Sequence, residues 1–187
     1  PGYGGLTISL LRPLGGPNAR VFLANASSDA GFTKLVAVKK HPAGLEIEAV
    51  RERARLLGGL AQSQILRIED SAPLDDGIGV VLEYVDGLNL IHSLDTPPGL
   101  APRSTLQVIA EVTCALAAAW ERVPLGVRRP LRLAHGRLDF DQIMLSKDGA
   151  LKVLGYGLDN TPVAEDDDLA HLNDIYTLGL LGIEMLG

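Results

Sequence analysis

The chain has 187 residues, 47% of them hydrophobic and 21% charged, with a formal net charge of −6. That is enough apolar material for a packed core in one or two lobes. The acidic balance gives no electrostatic support to a nucleic-acid or anionic-membrane partner, and no apolar run reaches the ~18 residues that span a bilayer. No secretory leader is visible. The single cysteine, Cys114, cannot close an internal disulfide. It sits in an apolar helical pattern, which predicts a buried, inert thiol. A cytoplasmic location is expected. The chain opens on Pro1 rather than methionine, which points to a piece of a longer protein, with any membrane anchor outside it.

Residues 1–5 read as a lead-in. Leu6–Leu11 is a strand by alternation and β-branching, 14–20 is a turn containing Gly15, Gly16 and Pro17, and Val21–Ala24 returns as a second strand. A polar loop, Asn25–Thr33, leads to a third strand, Leu35-Val36-Ala37-Val38-Lys39. Glu46–Leu60 places Ile47, Val50, Ala54, Leu57 and Leu60 at helical spacing. Ile65–Ile68 and Gly79–Glu83 are further strands, with a turn at Asp75-Asp76-Gly77. Leu88–Ser93 is a short helix. Asp95–Pro102 is a loop, because its prolines do not fit a helix interior. Ser104–Trp120 is the clearest helix, with Ser104 as N-cap and an apolar stripe of Leu106, Ile109, Ala110, Thr113, Leu116, Ala117 and Trp120. Glu121–Pro130 is a connector; its arginines, with Arg132, are most simply solvated.

The stretch Leu131–Gly157 organises the rest. Two short apolar strands, Gln142–Leu145 and Leu151–Leu154, flank the turn Lys147-Asp148-Gly149, where glycine tolerates positive φ. His135-Gly136-Arg137-Leu138 precedes the first strand and Gly155-Tyr156-Gly157 follows the second. This layout resembles the catalytic core of protein kinases, bacterial Ser/Thr kinases in particular. There a loop His-Arg-Asp-Leu-x-x-x-Asn precedes one strand, and Asp-Phe-Gly follows the next. Leu35–Lys39 resembles the Val-Ala-Ile-Lys strand, Leu82–Gly87 the hinge, and Asp174-Ile175-Tyr176-Thr177-Leu178-Gly179 the start of the F-helix.

The resemblance implies an α+β, two-lobed kinase-like fold. Residues 1–85 would be a small lobe of antiparallel strands plus one helix. Residues 86–187 would be a mostly helical large lobe with a shortened activation segment, ending at the F-helix. It also implies which positions once carried chemistry. The catalytic carboxylate position holds Arg137, the metal-binding amide position Gln142, and the metal-binding carboxylate position Gly155; His135 is kept. Gly15, Gly16, Ala37, Lys39, Glu83, Val85 and Met144 are the candidate nucleotide contacts. For the Gly15–Gly16 turn a phosphate cradle and a plain hairpin are equally open, since Pro17 removes a donor and Ala19 replaces a glycine. The helix glutamate that pairs with the strand lysine falls on Arg53, or on Glu52 if a one-residue gap precedes the helix.

A guanidinium accepts no proton and glycine has no ligand atom, so phosphoryl transfer has lost its base and its metal carboxylate. The leading reading is a catalytically inactive pseudokinase: a protein-binding, scaffolding or regulatory module of a larger signalling protein, with no resident metal or cofactor. The alternatives are a sensor that binds ATP weakly and without metal, and an unconventional phosphotransferase using Asp139, Asp141 or Asp159. The acidic run 165–168 reads as helix-start charge rather than a metal site. The helix 169–187 is apolar on more than one face, which predicts a contact with a partner protein, a second copy, or another part of a longer polypeptide.

Overall fold

The computed structural model describes residues 7–15, 19–44, 47–74, 77–94, 100–123, 128, 130, 132–156, 158 and 167–186. The sequence readings at 1–5, Gly16, Pro17, Asp75, Asp76, Arg129, Gly157, Asp159, Glu165 and Asp166 lie outside these residues. The chain divides into two units: Pro1–Ala54 with Arg67–Tyr84, and Arg55–Leu66 with Val85–Gly187.

The first unit is built on a five-stranded antiparallel sheet, in the order β1 (Thr7–Pro13), β2 (Val21–Ser27), β3 (Thr33–Pro42), β5 (Gly77–Glu83), β4 (Ile68–Leu74). Alternation sets its core. Ala24, Ala26, Val36, Val38 and Val81 form one buried cluster, with Ile8 packed against it. The register explains the grouping, because Ala24 faces Val36, Val38 faces Val81 and Ile8 faces Ala26 across neighbouring strands. The two ends of the polar stretch Asn25–Thr33, read as loop, are absorbed by β2 (through Ser27) and β3 (from Thr33), which extend further than β-branching alone suggested. The strand expected at Ile65–Ile68 begins only at Ile68. Helix α1 (Ile47–Gly58), which the division assigns to the first unit up to Ala54 and to the second from Arg55, buries Val50, Ala54 and Leu57, as its spacing requires.

The second unit carries a three-stranded sheet, β6 (Gly87–Asn89), β7 (Ile143–Ser146) and β8 (Leu151–Val153). Around it are α2 (Leu90–Leu94), α3 (Pro102–Glu121), a 3₁₀ turn at Phe140–Gln142, and α4 (Asp167–Leu186). Gly149 turns between β7 and β8 at φ +86°, and the Ser146 hydroxyl donates to the Asp148 carboxylate within that turn. Leu90, Ile143 and Val153 are wholly buried.

Helix α3 corrects three expectations. It starts on Pro102 with Ala101 as N-cap, so Ser104 is not the cap; proline suits the first turn because its missing N–H would be unpaired there anyway. Its buried face is Thr105, Val108, Val112, Ala115, Leu116, Ala118 and Ala119, which leaves Leu106 66% exposed. Cys114 lies on the outward side and is exposed rather than buried.

Helix α4 packs on α3 at Gly182, where a Cβ would stand 2.8 Å from Ile109 Cδ1, so a side chain there would oblige the Ile109 side chain to move. Its buried face is Asp174, Leu178, Leu181 and Met185. Its other faces expose Leu169, Leu172, Ile175, Tyr176, Leu180, Ile183 and Leu186. At the N-terminal end of α4, His171 stacks on Trp120, ring centroids 4.2 Å apart, and Arg132 lies over the same indole at 5.0 Å. Arg132 also pairs with Asp168 at 3.2 Å. No described helix is long and apolar enough to cross a membrane.

Candidate functional site

In the first unit, Ala37 is buried in β3 opposite Leu23 and Leu82. Lys39 follows two residues on, on the same face by strand alternation, and is half-buried opposite Val21 and Val80. Glu83 clasps the chain before β4: its Oε1 accepts the Arg67 amide at 2.8 Å and its own amide donates to the Arg67 carbonyl at 2.9 Å. Gly15 has φ +118° after β1, where the Leu14 amide donates to the Val21 carbonyl at 2.7 Å. On α1, Glu52 is exposed and Arg53 half-buried.

In the second unit, the loop between α3 and β7 is held from beneath by α4. Asp174 Oδ2 accepts the His135 amide at 2.6 Å, and Oδ1 accepts the Gly136 amide at 2.9 Å. The carboxylate is buried, and that burial raises its pKa, opposed by the two amide bonds and by His171. Two consecutive amides can converge on one carboxylate because Gly136 turns the chain at φ +76°.

The His135 ring is fixed at both nitrogens. Nε2 donates to the Leu154 carbonyl at 2.5 Å, and Nδ1 accepts the Arg137 amide at 3.3 Å. The network therefore assigns the neutral Nε2–H tautomer. Burial holds the imidazole pKa down to about 4, against the pull of the Leu154 carbonyl and the Asp141 charge. Tyr156 meets the ring edge-on at 4.8 Å, and burial, then the Asp174 charge, pushes its phenol pKa up.

The Arg137 side chain is exposed. Asp139 accepts the Phe140 amide at 2.6 Å and caps the 3₁₀ turn. Asp141 Oδ1 accepts Gln142 Nε2 at 3.0 Å, and its carbonyl accepts Asn89 Nδ2 at 2.6 Å. Gly155 has φ +92°; a Cβ on it would lie 2.9 Å from Gln142 Oε1 and 3.2 Å from His135 Nε2. His135, Gln142 and Gly155 thus form one cluster. Met144, half-buried on β7, pairs with Asn89 and Lys152, and Val85 is half-buried ahead of β6.

Within this cluster Gly155 offers no ligand atom, and among the described residues no group of three His, Cys, Asp or Glu side chains converges.

The overall match to a solved structure decides the fold. The crystal structure of Rad53 residues 1–466 in complex with AMP-PNP superposes on 96% of this chain with a TM-score of 0.71, at 17% identity, over 48% of that chain. The fold is protein kinase-like. Among curated relatives, the probable serine/threonine-protein kinase pknA2 of Bifidobacterium longum is 23% identical over 161 residues, 75% of this chain. The serine/threonine-protein kinase PknB of Mycolicibacterium smegmatis is 27% identical over 112 residues, 58% of this chain. The chain spans 20% and 16% of those two proteins. No protein-family model matches it.

The sequence missed the parts played by Tyr156 and Asn89. Tyr156 stands where the kinase motif has an aromatic, which was a usable signal for packing on His135. Asn89 had none, because its partner is 52 residues away.

Proposed function

We propose that this chain is a catalytically inactive pseudokinase domain, serving as a protein-binding or regulatory module of a larger signalling protein. The observation that carries this is the contrast within one loop. His135, its Leu154 bond and its Asp174 anchor are built as a rigid frame. By the resemblance, Arg137 and Gly155 stand at the positions where kinase chemistry needs carboxylates. Of the carboxylates that would substitute, Asp139 is engaged as a cap and Asp141 by Gln142, while Asp159 lies outside the described residues. The exposed apolar faces of α4 supply a surface for a protein partner. A metal-independent nucleotide sensor is the second reading, supported by Ala37 and Lys39 sharing one face of β3.

Incubation with radiolabelled ATP and Mg²⁺ or Mn²⁺ tests the proposal. No transfer to the chain or to protein substrates is expected; transfer that disappears in Lys39→Ala overturns it. A thermal shift with ATP separates the readings: none for the module, a metal-independent shift for the sensor, a metal-dependent shift for an enzyme.

A further inference from the structure

We infer that the cation position of this kinase-like loop is closed, and not only stripped of its ligand: Gln142 and Gly155 are fitted to each other, so a carboxylate at 155 cannot be restored by one substitution. The inference rests on the reading of 155 as the metal-carboxylate position, but its core is steric. Any side chain at 155 begins 2.9 Å from Gln142 Oε1 and 3.2 Å from His135 Cε1 and Nε2. Both separations are shorter than ordinary carbon contacts. Gln142 is flexible, but moving it breaks the bond from its Nε2 to Asp141. His135 would have to give by a few tenths of an ångström, and that shift is opposed by Leu154 on one ring nitrogen, the Arg137 amide on the other and Tyr156 against the ring. The backbone adds to this, since φ +92° at 155 suits glycine and strains other residues. The Gln142 carboxamide therefore stands within the space a side chain at 155 would need.

A double-mutant cycle reads the fit without any activity assay. Gly155→Ala, Gln142→Ala and the double variant are compared in the 187-residue chain by urea denaturation. Gly155→Ala is expected to lower the folding equilibrium constant at least about threefold less in the Gln142→Ala background than in the parent. Additive effects overturn the inference. Binding of Mn²⁺ alone, read by electron paramagnetic resonance of the free ion, gives an independent reading. Gly155→Asp is expected to bind no better than the parent, and Gly155→Asp with Gln142→Asn at least about tenfold tighter. Equal affinity of these two variants, whether tight or absent, also overturns it. An active parent enzyme would instead refute the proposed function while leaving the cycle interpretable.

Discussion

Asp174 Oδ2 lies 2.6 Å from the backbone nitrogen of His135, 39 residues earlier in the chain. With the Gly136 amide on its other oxygen, this carboxylate ties the loop to helix α4. A buried acceptor removed from two amides leaves donors unsatisfied, which costs far more than an average hydrogen bond. Asp174→Ala is expected to lose roughly 2–4 kcal/mol of stability. Asp174→Asn, which keeps one acceptor, should lose about half of that. Urea denaturation checks both, and an Ala variant as stable as the parent would refute the anchoring role.

His135 gives the fold an acid limb. Its folded pKa, about 4, lies below the ordinary 6.5, so the unfolded chain binds the proton first. The stabilisation is complete above pH 6.5 and is lost as pH falls through about 4. At ~1.4 kcal/mol per unit, this amounts to roughly 3 kcal/mol. Asp174 acts in the opposite sense, because its raised pKa means that protonation favours the folded chain. His135→Phe retains Asp174 and the backbone amides, so the difference between the two stability–pH profiles isolates the imidazole. The parent should lose stability between pH 6.5 and 4 relative to the variant; parallel profiles would show that the ring is not buried in its neutral form.

The outer faces of α4 should make the isolated chain self-associate at micromolar concentration and bind a hydrophobic dye. Leu172 is 61% exposed and Ile183 69%. Replacing both with Glu is expected to shift sedimentation toward monomer and weaken dye binding, with stability changed by no more than about 0.5 kcal/mol. A monomeric, dye-silent parent would contradict this.

Much of the fold was legible because β-branched runs and turn residues agree along the chain. Val36 and Val38 alternate as a strand must, and the Lys147–Gly149 turn fixes β7 against β8. Helix α3 was misregistered because it is apolar over more than half its circumference. Ala110 and Ala117 serve a stripe as well as Ala115 and Ala119 do, and periodicity alone does not decide between them. Pro102 was read as excluding a helix, although the first turn is where proline costs nothing. The kinase-like order of the candidate site was visible in the motif spacing. The encroachment of Gln142 on Gly155 was not, since it depends on one torsion at 155 and on where a carboxamide finds its partner.

Trp120 is the chain's single tryptophan. Its indole touches both the imidazole of His171 and the guanidinium of Arg132. Its emission is therefore an optical probe of one place, the junction of α3, α4 and the segment that leads to His135. The five-stranded sheet contributes nothing to that signal and dominates the β component of circular dichroism. Following both signals through one denaturation separates the two units spectroscopically. Superimposed transitions would mean that they melt as one cooperative body, and an indole transition displaced from the sheet signal would mean that the helical unit has a melting point of its own.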